Sequence, residues 1–431
     1  MDSTSVSDVQ KMTELDLHMP EMALPVQTKL NKAVLGRISS SSYPIGARGG
    51  EGVSEYQIAM SNSLSAVISN TDICLDLDVE QVGTTVRTGS NKFRGSQVLF
   101  KSVNVNLGSH KLCDIPNFAD RVADFHVQST HTSDEMDYLE AMAGVNADAG
   151  IGAAKKTLTL RLPLKWFGLD FGNLLPTGAI TSQLRINLTV NDKVNNMFTG
   201  LTAGSNEITI RNLRLETEFI ELQNTVNSKR LELIKSSSGL TIPYHAYSCD
   251  VRSLQQTSQL NERISLNYNN VVSVFQLPYN SATNGPNANV GYYDNIKWNN
   301  IDKMNDITGF LVQFSGGTFF NLNSTNGQSG KASHAKALME TLRTENTAAG
   351  AGSRIVKGID NYQVLCANFV RANNVLSPAI IDSGINSRVL DGLLSVNAVF
   401  KTQVPTGKQL TTITKYTQRI VFKSSGMDVY S

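Results

Sequence analysis

The 431-residue chain is 40% hydrophobic and 17% charged, with 38 basic residues against 37 acidic ones and a net charge of +1. Against a usual charged share of about 25%, this excludes charge-rich disorder and leaves enough apolar material for a sizeable core. The even balance also argues against a protein that coats nucleic acid, which needs a cationic surface to displace counterions.

The chain opens on MDSTSVSDVQKMTELD. This stretch lacks the basic and apolar regions of a secretory signal, and no apolar run reaches the ~18–20 residues of a membrane span. The expectation is a soluble chain made and kept inside a cell. Val9, Met12 and Leu15 give one short helical face ahead of Pro20. Cys74, Cys113, Cys249 and Cys366 are far apart and form no CxxC pair. They read as buried free thiols, so packing and hydrogen bonding must hold the fold.

Beyond the opening, apolar and polar residues alternate with the period of a half-buried strand. Ile73, Leu75, Leu77 and Val79 share one face, opposite Cys74, Asp76, Asp78 and Glu80. Strands follow at VLFKSVNVNL, at Leu158–Leu164, at Leu184–Val190 and at ITIRNLRLETEFI. Pro163 removes a ladder hydrogen bond and belongs on an edge strand or a bulge. Later strands are NVVSVFQL, LLSVNAVF and one or two within LTTITKYTQRIVFK. Long Asn/Gly-rich loops are expected from Pro278 to about Asn300 and around Arg343–Asn361. Three short helices interrupt the strands. One is Pro116–Gln128, with Phe118, Val122 and Phe125 on a stripe. A second follows a capping box at Thr132–Glu135 and stops at Gly144. The third is Ser333–Arg343.

The order of elements repeats. Val103–Leu107, then Gly108, leads to the helix with Phe118 and Val122; Phe310–Phe314, then Gly316, leads to the helix with Leu338 and Leu342. Arg185–Val190 is matched by Ser395–Phe400 about 210 residues on, and each half closes on a Thr-rich strand. The reading is all-β: two consecutive eight-stranded jelly-roll sandwiches with short helices and long loops. Residues 1–36 are an N-terminal arm, 37–228 the first jelly roll and 229–431 the second, joined near Asn224–Ser238.

Two stretches carry a family resemblance, LPLKWFGLDFGNLLPTGAITSQLRINLTV (Leu162–Val190) and FKSVNVNLGSHKLCDIPNFADRV (Phe100–Val122), with an echo at Phe310–Gly317. The chain resembles the double jelly-roll major capsid proteins of icosahedral viruses, the adenovirus-hexon-like and tectivirus-like group. The resemblance implies a homotrimer with six barrels and a pseudo-hexagonal outline that tiles a shell. It implies residence in the virion after assembly in the host cytoplasm, with minor capsid or penton proteins as partners and an inner membrane as an open question. The acidic arm would clamp a neighbour, with Lys29, Lys32 and Arg37 as contacts for a membrane or minor protein. No direct nucleic-acid binding is expected. The alternative is a two-domain β-sandwich that binds carbohydrate or a receptor.

No catalytic, cofactor or metal residue is assigned, and the chain is read as not an enzyme. HExxH, GxSxG and GxGxxG are absent. GQSGKAS (Gly327–Ser333) has Thr325 where a phosphate loop needs its first glycine, so it reads as a flexible loop. His126, His131, Asp134 and Glu135 read as helix-loop polar residues against a metal site. Asp76, Asp78 and Glu80 read as a solvated or subunit-facing strip against a Ca²⁺ site. Lys155, Lys156, Arg161 and Lys165 would then pair with that strip between strands or subunits. Trp166 and Phe167 read as core against a ligand platform. Tyr292, Tyr293 and Trp298 read as stabilising their own loop against outward recognition. Asn187 and Asn323 head chance glycosylation patterns.

Overall fold

Alternating residues can bury one face of a strand only if a second sheet covers it, and the computed structural model does this twice. It describes residues 34–45, 55–60, 66–82, 92–147, 156–169, 175–177, 183–192, 197–199, 205–237, 239–280, 307–314, 317–323, 327–343, 353–357, 363–370, 384–388, 392–405, 407–424 and 426–430. The first half contributes β1 (Val34–Ser42), β2 (Glu55–Ala59), β3 (Ala66–Val82), β4 (Lys92–Phe93), β5 (Phe100–Leu107) and β6 (His110–Ile115). After the helices α1 (Ala119–Thr130) and α2 (Met136–Ala143) come β7 (Lys156–Pro163), β8 (Leu184–Val190), β9 (Phe198–Thr199) and β10 (Ser205–Leu222). Helix α3 (Asn224–Lys235) links the halves. The second half runs β11 (Leu240–Ser253), β12 (Thr257–Ser265), β13 (Val271–Asn280), β14 (Ile307–Phe314), β15 (Gly317–Asn323), helix α4 (Gly327–Arg343) and helix α5 (Arg354–Lys357). It ends with β16 (Leu365–Asn368), β17 (Leu393–Val404), β18 (Lys408–Lys423) and β19 (Gly426–Tyr430).

The sheets run β1-β10-β3-β7 and β2-β8-β5-β6 in the first half, β11-β18-β13-β16 and β12-β17-β14-β15 in the second. With the small β4–β9 pair and the terminal β19 set aside, each half has eight strands. Numbered from its own first strand, each is ordered 1-8-3-6 over 2-7-4-5. That identity is the duplication seen in the sequence, now in topology. Both expected strand matches fall on equivalent strands, β5 with β14 and β8 with β17. The helices α1 and α4 likewise follow equivalent strands, β6 and β15.

Local chemistry explains the boundaries. Ile73, Leu75, Leu77 and Val79 are buried, as the alternation requires. Pro163 closes β7 opposite Asp72, and β7 is a sheet edge where a missing N–H goes unmissed. Thr132 and Glu135 form the expected capping box, and Gly144 ends α2 at φ 70°, with Leu160 Cδ2 2.8 Å from where a Cβ would stand. Burial alone would raise the Glu135 carboxyl. The Thr132 N–H, donated at 2.8 Å, and neighbouring His131 bring it below its ordinary value. We expect Glu135→Ala to lower stability by about 1 kcal/mol; a urea titration in which the midpoint does not move would show that the cap is idle.

Several expectations need correction. The loop placed from Pro278 starts later, because β13 continues to Asn280; Pro278 pairs with Leu410 beyond the stretch Ser273–Gln276 that β16 covers. GQSGKAS is the start of α4, which begins at Gly327, so contact with β14, β15 and β16 overrides weak glycine propensity. The loop around Arg343–Asn361 contains α5. LTTITKYTQRIVFK is one strand, β18. Arg37 is not in an arm: it lies on β1 and pairs with Glu218 at 3.0 Å. The Val9 face, Lys29, Lys32, Lys155, Tyr292, Tyr293 and Trp298 lie outside the described residues.

Candidate functional site

The chain's central feature is the joint between its two sandwiches. Helix α1 is buried almost all round, including Asp120, Arg121, Asp124, Gln128 and Ser129. Its apolar side faces the first core through Val122 and Val127. The opposite side lies on the outer face of the β11-β18-β13-β16 sheet. There Phe125 meets Phe275 of β13 with ring centroids 4.6 Å apart and planes tilted by 48°, and His126 meets the Tyr247 ring edge-on at 6.1 Å. The fully buried Arg121 donates to the Thr411 hydroxyl and, at 2.6 Å, to Gln409 Oε1. Its guanidinium lies 4.4 Å from the Phe118 ring centre and 4.8 Å from that of Tyr279. Behind α1, Tyr244 of β11 donates to the Leu112 carbonyl of β6 at 3.1 Å. Gly168, at φ 88°, approaches Tyr247 so closely that a Cβ would sit 2.3 Å from its ring. One contiguous apolar cluster therefore crosses from the first half into Phe275, Leu277, Tyr279 and Ile413.

The equivalent face of the first half, on β1-β10-β3-β7, is an ion ladder. Asp78 is buried and meets Arg211 Nε at 2.6 Å while accepting from Thr157 at 2.6 Å. Asp76 accepts from Thr159 at 2.9 Å and Asn212 at 2.8 Å. Arg161 bridges Asp72 at 3.3 Å and Glu216 at 3.0 Å, and Arg214 holds Glu216 at 2.8 Å. Within the expected strip Asp78 thus pairs with Arg211 of β10, which sequence reasoning missed, and Asp76 with Thr159 and Asn212; Arg161, expected to pair with that strip, instead bridges Asp72 and Glu216. Beneath the ladder, burial first and then Glu216 push the Cys74 thiol up to about 12. The exposed pairs of the ladder, those of Arg161 and Arg214, contribute only about 0–1 kcal/mol each.

The remaining candidates within the described residues take the following positions. Trp166 and Phe167 are fully buried. His131 binds Glu135 at 3.2 Å while His126 turns to Tyr247, and no metal-holding group of three occurs among the described residues. Asn187 donates to Asn104 at 3.4 Å, within a polar ladder completed by Asp114. Cys74, Cys113 and Cys366 are buried. A depression on the β12-β17-β14-β15 face is lined by Asn261, Arg263, Gln313 and Asn397.

No protein-family model matches the chain, and no curated protein does. Solved structures match along nearly its whole length. The PBCV-1 VP54 structure fitted into a reconstruction of the virophage Sputnik is 13% identical at a TM-score of 0.58, covering 92% of this chain and 96% of that one. The Faustovirus major capsid protein is 10% identical at 0.58, covering 97% and 98%. The mavirus major capsid protein is 9% identical at 0.52, covering 95% of each. At such identities the likeness is one of architecture: this chain has the double jelly-roll fold that it shares with viral major capsid proteins.

Proposed function

We propose that the chain is a structural major capsid protein, with three copies forming a pseudo-hexagonal capsomer that tiles an icosahedral shell. The observation that carries this reading is two sandwiches of identical strand order, fused by a core-like joint into one building block. Near-complete coverage in both directions against major capsid proteins supports it. In this reading residues 1–36 form the arm, whose last three residues already open β1, 37–228 the first roll and 229–431 the second, with α3 spanning the division. The role is structural rather than catalytic, the chain resides in the virion, and assembly takes place in the host cytoplasm. Minor capsid or penton proteins complete the shell, and genome contact is left to other components.

Light scattering behind a sizing column tests it. We expect a stable particle of three times 46.9 kDa that associates further at high concentration. A strict monomer or dimer would overturn the reading.

A further inference from the structure

Because the two sandwiches share one strand order, the outer faces of β2-β8-β5-β6 and β12-β17-β14-β15 correspond residue by residue. Arg185–Val190 answers to Ser395–Phe400, which equates Asn187 with Asn397 and Arg185 with Ser395. Strand register then equates Gln57 with Asn261, Asn106 with Gln313 and Ala59 with Arg263. Both faces therefore carry the same three amides and a guanidinium, which has moved from β8 in the first half to the strand beside it in the second.

One exchange changes what those groups do. In the first half Asn104 is a hub: its side-chain oxygen accepts from Asn106 and, at 3.4 Å, from Asn187, while its amide donates to Asp114 at 2.9 Å. The residue in its place, opposite Asn397 on β14, is Leu311. A leucine can satisfy none of its neighbours. Asn261, Ser395 and Asn397 have no side-chain hydrogen bond among the described residues, and Gln313 makes a 3.4 Å contact with Thr318. Together with Arg263 these side chains line a depression of about 580 Å³, the size of a small-molecule site. At its rim Arg252 is already held by Asp250 at 2.8 Å and Glu262 at 3.3 Å. Arg263 has no charge partner among the described residues.

We propose that this depression binds a small hydroxylated carboxylate, with the acid on the Arg263 guanidinium and the hydroxyls on Asn261, Asn397, Gln313 and Ser395. The planar guanidinium fork matches a carboxylate through two parallel N–H groups. Amide and hydroxyl side chains both donate and accept, as the hydroxyls of a sugar acid do. A peptide strand is a poorer fit. β17 lies between β12 and β14, so its backbone groups are already engaged in two ladders and offer no edge to extend. The site lies within one chain, on the sheet of the second sandwich that faces away from α1, and goes beyond the structural role. The same chemistry comes as a free sugar acid or as the charged end of a glycan.

Calorimetry on the full chain with glucuronate as the probe tests the site. Binding should be saturable, and Arg263→Ala should weaken it ~tenfold. Arg185→Ala, the matching change on the first half's face, should leave it intact. Leu311→Asn restores the hub that ties up the amides and should weaken binding ~threefold. All three positions are on a solvent face, so the thermal midpoints should stay within a few degrees of wild type. Acetate and glucose each carry half of the chemistry and should both bind more weakly than glucuronate. Acetate bound as tightly as glucuronate would mean an adventitious anion only and overturn the proposal. So would the absence of saturable glucuronate binding, or binding indifferent to Arg263→Ala in a folded protein. Methyl glucuronide, whose blocked anomeric oxygen stands for a glycosidic link, separates the sources. Equal binding assigns the site to a glycan end and exclusion assigns it to the free acid, and either result upholds it.

Discussion

Replacing Arg121 by methionine is expected to destabilise the chain by about 3–5 kcal/mol, the cost of breaking a buried polar set by removing one member. Methionine fills much of the stem's volume, so the loss is chiefly electrostatic. Thr411 and Gln409 lose their donor. The stacking on Phe118 and Tyr279 goes with them. Arg121→Lys keeps the charge without the planar fork and should fall between wild type and Arg121→Met. Because α1 is the joint, hydrogen exchange in Arg121→Met should rise in α1, β11 and β18 before it rises in β12 or β17. A loss under about 1 kcal/mol by urea unfolding would show that apolar contact alone holds the halves together.

The strands legible in the sequence are those with one face in a core and the other in water. Ile73 to Val79 and Leu184 to Val190 alternate because their environments alternate. The duplication was legible for the same reason, since equivalent strands keep equivalent alternation. What stayed hidden is where that contrast fails. β18 was expected as one or two strands, but its burial along nearly its whole length was not: Thr411, Thr412, Thr414, Lys415 and Thr417 are all enclosed, because the first half covers its outer face. β11 was missed because Pro243 gives a break signal on what is an edge strand. β1 reads VLGRISSSS, with too few apolar residues to declare a strand, and it is ordered by pairing with β10. Arg121 could not be singled out either, since Asp-Arg-x-x-Asp on a helix usually marks a solvated face. Only the second sandwich makes that face interior. The joint is a property of two halves meeting, and no local pattern encodes it.

Acid should weaken the fold through His334. This residue on α4 is buried to 1%, neither ring nitrogen has a hydrogen-bond partner among the described residues, and Phe310 and Phe320 flank it with ring centroids 5.6 and 5.9 Å away. Burial pushes its value down to about 4, against about 6.5 for a histidine in an unfolded chain. Between those values the unfolded chain binds a proton that the folded chain refuses, so stability rises with pH there. The contribution is whole above pH ~6.5 and is lost as pH falls toward about 4, to a total of about 3 kcal/mol. His334→Phe removes the titration while keeping a ring in the slot. The stability difference between wild type and this variant should therefore shift by about 3 kcal/mol in the variant's favour between pH 7 and pH 4. A difference constant to about 0.5 kcal/mol would mean that the ring is solvated. Burial holds His126 down to about 3 and His245 well below its ordinary value, with Lys415 adding to both. The residual acid sensitivity of the variant should then reside at the joint, and adding Arg121→Met should move it more than any change on the ladder face.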